Sequence, residues 1–173
     1  MEEQTQSTMP TTRSVGLKWG IISALFSILF FLILVIAGAN AFDNKWGWIG
    51  GIFSIIFMVL AHREFKQQGD SFMTYGQGLG ISFWMVLIST AVAGLFTYIY
   101  SNIIDPATME KFYESQRMQM EERNMPEEQI EIALEWTRKL FWVIYAVGGI
   151  LGGMFIALIV SIFTQKKNPA PPF

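Results

Sequence analysis

Apolar residues in this chain come in long blocks, separated by short polar turns and by one long charged stretch. Residues 17–37 are almost all apolar or small, and at a rise of 1.5 Å per residue such a run crosses a hydrocarbon core of about 30 Å. A first transmembrane helix is predicted there. Ala39 and Ala41 resemble a signal-peptide cleavage site, but the run is long for a signal core and the leader mixes Glu2 and Glu3 with Arg13 and Lys18, so a retained span is expected. Gly38, Asn40, Asp43 and Asn44 mark a turn, and the next block, 46–61, returns antiparallel. Trp46 and Trp48 suit one interface, and His62, Arg63 and Lys66 the other. His62 is read as an interfacial residue rather than a proton relay. Gly69 and Asp70 break the helix, and a third span follows over 79–100, closed by Tyr98 and Tyr100 at headgroup depth.

The charged stretch, 101–139, holds nine of the fourteen acidic and five of the twelve basic residues. Asp105 and Pro106 are a helix start, since Asp accepts free amides and Pro loses no hydrogen bond in the first turn. A helix is predicted over 106–123, with Met109, Phe112, Tyr113, Gln116 and Met120 on one face. Pro126 starts a second helix, whose dipole favours Glu127 and Glu128 in its first turn. Ile130, Ala133, Leu134 and Thr137 share a face of it. No breaker separates it from the apolar run 140–163, so one helix is expected over 126–163, about 57 Å long and therefore projecting into water.

These elements predict an all-α polytopic membrane protein: four transmembrane helices with a water-exposed helical hairpin between the third and fourth. The expected divisions are a loose tail at 1–14, three spans within 15–100, the insert 101–139, the fourth span 140–164 and a second disordered or extended tail at 165–173. Positive residues flanking the short segments (Arg13, Lys18, Arg63, Lys66, Lys166, Lys167) place both termini in the cytoplasm and the insert on the opposite side.

Composition narrows the chemistry. The chain is 52% hydrophobic with a net charge of −2, which gives no field for nucleic acid, and it has no Cys and a single His. Thiol chemistry is excluded and most zinc chemistry with it. Enzymatic activity is not expected, and neither is a cofactor. Gly148, Gly149, Gly152 and Gly153 form two overlapping small-xxx-small pairs in the fourth span; Gly16 and Gly20 in the first and Gly47 and Gly51 in the second repeat the pattern. Helices in lipid gain little by hiding from it, so close backbone approach at glycine is what holds them, and these positions are read as helix-packing residues within one bundle. The carboxylates Glu127, Glu128 and Glu131 lack the convergent geometry of a cation loop and are read as a solvated acidic face open to a protein partner. None of the spans carries an internal charge, which weakens a transport reading.

The glycine-containing run Phe72, Met73, Thr74, Tyr75, Gly76, Gln77, Gly78 before the third span, together with Met125, Pro126, Glu127, Glu128, Gln129, Ile130, Glu131 in the insert, resembles a bacterial family of uncharacterised four-helix membrane proteins, domain of unknown function 4199, over residues 14–167. The resemblance implies a bacterial inner-membrane location and supplies no activity or catalytic residue. The function expected is that of a non-enzymatic accessory or scaffold protein of the envelope, embedded in the bilayer and binding a membrane or envelope protein through the insert. The alternative is a small transporter or channel subunit acting as a homo-oligomer.

Overall fold

The computed structural model of the protein describes residues 10–168. Five helices account for most of it: α1 Thr12–Ile36, α2 Gly47–Gln68, α3 Tyr75–Ile99, α4 Ala107–Glu122 and α5 Glu127–Thr164. Four of these (α1, α2 with the 3₁₀ turn Asn44–Trp46 before it, α3 with the π-turn Tyr100–Ile104 after it, and α5) are long and apolar enough to cross a membrane. The short helix α4 lies between the third and fourth of them.

Helix ends follow local chemistry. Thr11 and Ser14 form a capping box, so α1 starts inside the stretch expected to be a loose tail. The tail's residues 1–9 lie outside the described residues. At its other end Gly38 adopts φ +72°, and the Gly38 and Ala39 amides bond back to the carbonyls of Val35 and Leu34, a glycine stop that Cβ-bearing residues resist. Thr74 and Gln77 make a second capping box at the start of α3. α4 follows Pro106, and α5 follows Pro126 without interruption to Thr164.

The packing divides α1 into two unlike faces. On one side Gly16, Gly20 and the fully buried Ala24 let α3 approach closely in parallel. A Cβ on Gly16 would fall 2.6 Å from the Ile81 carbonyl oxygen, and one on Gly20 would fall 2.9 Å from Ile88 Cβ. On the other side Trp19, Phe26 and Phe30 meet Phe57, Phe53 and Trp46 of α2 and its leading turn, with Phe26 and Phe53 ring centroids 4.2 Å apart. Rings hold α2 at a distance; glycines draw α3 in. α5 closes the arrangement by packing against both α3 and α2, which touch one another little. Large apolar side chains such as Leu25, Ile52, Leu95 and Leu151 point outward, as lipid allows and water does not.

One end of the bundle is tied by backbone pairing. Met73 and Lys166 form an antiparallel bridge (2.9 and 2.8 Å), so the segment after α5 is pinned to the α2–α3 connection rather than trailing away. Of the tail expected from 165 to be disordered or extended, Gln165 and Lys166 are extended and Lys166 is paired; residues 169–173 lie outside the described residues.

Candidate functional site

Three places gather polar chemistry or space: the junction of α4 with α5, the buried surroundings of His62, and a cavity between α1, α2 and α3.

At the α4–α5 junction the connection between α1 and α2 supplies the wedge. Phe42 packs edge-on against Phe112 of α4 and Phe141 of α5, with centroids 5.8 and 5.1 Å away. Asn40 donates from its side-chain amide to the Ser115 hydroxyl at 2.9 Å. Met109, Phe112, Ile130 and Leu134 are all buried, so the apolar stripes of the charged insert are covered. Arg117 pairs with Glu127, and that hydrogen bond holds the guanidinium even more firmly protonated. The Arg138 guanidinium lies 4.9 Å from the centre of the Tyr113 ring. Burial pushes the Tyr113 phenol up and the Arg138 cation partly offsets it.

The acidic residues singled out in the sequence are thus unequal. Glu127 is engaged by Arg117, whereas Glu128 and Glu131 are exposed beside the exposed Ile132 and Trp136.

The glycines separate by face. Gly16, Gly20 and Gly153 are in tight contact: a Cβ on Gly153 would fall 2.8 Å from the Val86 methyls of α3, and one on Gly149 would fall 3.5 Å from Thr90. Among the described residues, Gly148, Gly152, Gly47 and Gly51 have nothing within 4 Å of that position. The reason is helical periodicity. Neighbours in sequence lie about 100° apart, so of two overlapping four-residue pairs only Gly149 with Gly153 can face α3, and Gly148 with Gly152 must look elsewhere. Gly78, in the glycine-containing run before the third span, makes the tightest such contact of the α3 glycines, with Ser161 Oγ 3.1 Å from where its Cβ would be.

His62 is wholly buried, not exposed at an interface. Its Nε2 is 2.9 Å from the Gly78 carbonyl oxygen and 3.0 Å from Ser82 Oγ, and its Nδ1 is 2.7 Å from Thr164 Oγ1. A carbonyl only accepts, so the Gly78 contact calls for a proton on Nε2, while the Thr164 hydroxyl, which also donates to the Val160 carbonyl at 2.8 Å, has one proton to share between that carbonyl and Nδ1. One turn on, Lys66 Nζ donates to the Thr164 carbonyl at 2.8 Å, a cation placed on the C-terminus of α5. On the same end Glu64 accepts from Lys18 and from the Trp19 indole, both at 2.9 Å. Charge adjacency at positions 62–64 suggested an interface; the helical face settled otherwise, since His62 follows Met58 and Ala61 on the buried side of α2 while Arg63 is exposed.

The cavity has a volume of about 350 Å³ and lies where the aromatic α1–α2 contact leaves α2 apart from α3. Its walls are mostly rings and aliphatic groups; Ser23, Ser27, Ser54 and Ser89 from three helices and Tyr145 of α5 are among the residues that line it. Ser89 donates to the Val86 carbonyl at 3.2 Å. Ser23 is 7% exposed, and its oxygen has no hydrogen-bond partner among the described residues. At the rim, the Asp43 carboxylate accepts from the Lys45 amide and meets its ammonium at 3.0 Å; the amide bond above all holds this carboxyl below the ordinary carboxylate range.

A family model described as "Protein of unknown function (DUF4199)" matches residues 18–166. No curated protein and no solved structure matches the chain.

Proposed function

The chain belongs to the DUF4199 family of uncharacterised proteins, and from that premise we propose that it is a non-enzymatic accessory protein of the bacterial inner membrane. The head formed by α4 and the first turns of α5 is its partner-binding element. One observation carries this reading: the head is built and braced. A plain connection between two antiparallel spans needs only a few residues, yet here Phe42, Asn40, Arg117 and Arg138 all fix the insert against α5 or the α1–α2 turn. With its apolar stripes spent internally, the head keeps Glu128, Glu131, Ile132 and Trp136 for contact outside. An exposed acidic edge beside an indole suits a basic, partly apolar protein surface.

Orientation follows from charge. Arg13, Lys18, Arg63, Lys66 and Lys166 lie toward the end of the bundle where α1 and α3 begin and α2 and α5 finish, which we assign to the cytoplasm, with the head and the Phe42 turn outside. The test is a photo-crosslinking residue at the exposed Ile132 and, separately, at Arg63 in cells. Position 132 is expected to trap a defined protein whose yield falls with salt and with Glu128→Lys/Glu131→Lys; trapping only from Arg63, or none that responds to charge reversal, refutes the head as the contact.

A second reading, a small transporter or channel subunit working as a homo-oligomer, draws on Gly148 and Gly152, which face out of the bundle and offer a second copy a close approach. Disulfide trapping between Gly152→Cys chains decides it, because a subunit of such an oligomer crosslinks to itself and an accessory monomer does not.

A further inference from the structure

We propose that one zwitterionic glycerophospholipid with a primary ammonium headgroup straddles the start of α2. One acyl chain occupies the cavity between α1, α2 and α3, the other a cleft between α2 and α5, and the headgroup lies over Asp43 and Lys45. The first observation is that two apolar spaces flank the same turn. The cavity, about 350 Å³, has Phe26, Phe53 and Phe57 among its walls. On the other flank of α2 the cleft, about 720 Å³, is lined by Gly51, Ile52 and Ile55, with Ile156 of α5 completing it. Asn44 and Gly47 line both, so the two spaces diverge from one place. The cleft is open because α5 is joined to α2 lower down, at His62 and Thr164, while among the described residues nothing lies within 4 Å of where a Cβ would stand on Gly47 or Gly51.

Depth fits an acyl chain. From Gly47 the cavity lining runs to Phe57 and the cleft lining to Ile55, about 15 Å and 12 Å along α2. Half of a hydrocarbon core is about 15 Å, the reach of a chain from its own leaflet. Apolar walls give water few partners, and leaving such spaces empty forfeits dispersion contacts that methylene groups supply.

Charge selects the headgroup. Among the described residues, Asp43 and Lys45 are the only charged groups lining either space. They lie 3.0 Å apart with both side chains accessible, 34% and 63% exposed, and together they are neutral. Lys45 can donate to a lipid phosphate while Asp43 accepts from a lipid ammonium, so a headgroup carrying both charges matches the pair. An anionic headgroup leaves Asp43 without a counterpart, and a trimethylated one has no proton to give. Trp48, lining the cleft and exposed beside Lys45, marks headgroup depth.

The experiment weighs lipid adducts on the full chain by native mass spectrometry from dodecyl maltoside. The probes are palmitoyl-oleoyl lipids bearing phosphoethanolamine, phosphocholine or phosphoglycerol, and the single-chain lyso-phosphoethanolamine. One phosphoethanolamine lipid per chain is expected at saturation, held about three- to tenfold more tightly than the other headgroups, the worth of one hydrogen bond. Asp43→Asn and Lys45→Gln should each erase most of that preference. Gly50 lines the cavity and not the cleft, Gly51 the cleft and not the cavity, and each has open space at its Cβ position, so a leucine fills one space at a time. Gly50→Leu and Gly51→Leu are each expected to bring the two-chain lipid down to the affinity of the lyso form while the lipid-free melting temperature holds. Adducts that multiply with added lipid without saturating, alike for every headgroup, mean ordinary bilayer solvation and overturn the proposal. Equal affinity for phosphocholine or phosphoglycerol overturns the headgroup assignment, and a two-chain advantage that survives either leucine overturns the straddle.

Discussion

The Nδ1 atom of His62 on α2 lies 2.7 Å from the hydroxyl of Thr164, the last residue of α5 and 102 positions further along the chain. With Gly78 and Ser82 of α3 on the ring's other nitrogen, one imidazole joins three helices. His62→Leu removes these bonds and leaves the Gly78 carbonyl and Ser82 hydroxyl without their ring partner. A loss of about 1–3 kcal/mol is expected, with Thr164→Val costing nearer 1 kcal/mol because the ring keeps its contacts to Gly78 and Ser82. Denaturant titration of the purified protein, followed by circular dichroism, measures both; an unchanged His62→Leu midpoint contradicts the bridging role.

The two glycine pairs of α5 should respond differently to the same change. Gly153→Leu drives a side chain into Val86 and is expected to cost at least about 1–3 kcal/mol, the usual penalty of overpacking. Gly152→Leu faces open space and should leave the melting temperature of the isolated bundle unchanged or slightly raised. Comparing the two by thermal melting in detergent checks the face assignment directly, and equal destabilisation would contradict it.

Phe42→Ala should loosen the head without unfolding the spans. The ring meets Phe112, Phe141, Trp142 and Tyr145, and each favourable aromatic pair is worth about 0.5–1.5 kcal/mol beyond its burial. Amide exchange in α4 is expected to quicken at least fivefold while the protection of α1 and α3 holds. Uniform loss of protection would instead make Phe42 part of the global core.

Cysteines at Lys167 and Glu122, both exposed, should label from opposite sides of the membrane. With an impermeant maleimide on intact cells, Glu122→Cys is expected to react and Lys167→Cys only after lysis. The reverse pattern inverts the topology, and reaction of both on intact cells excludes it.

The four long helices were legible because lipid imposes a coarse requirement: enough consecutive apolar residues to cross. The continuity of α5 was legible too, since no Pro or Gly stands between Glu127 and Val147. α4 announced itself through Asp105 and Pro106. Which way each residue faces was far less legible. In a soluble helix, polarity marks the outer face; here lipid and bundle are both apolar, and Gly148 reads the same as Gly149 although one faces outward and the other meets Thr90. The burial of His62 was missed for the related reason that charged neighbours at 63 and 64 masked a buried position. Nor does local pattern predict the bridge from Met73 to Lys166, a pairing between segments far apart in the chain. The cavity depends on Phe53 and Phe57 opposing Phe26, a cross-helix relation invisible in either helix alone.

The unbroken course of α5 also has a mechanical side. At 38 residues the helix is about 57 Å long, nearly twice the hydrocarbon thickness, with its far end anchored by Lys66 and by the strand pair after Thr164. On such a rod a 10° change of tilt would sweep Glu127 through about 10 Å, and the contacts of α5 with α3 and with Phe42 are what resist it. How far the tip of α5 can swing is therefore set by the contacts of Gly153 with Val86 and of Phe42 with Phe141.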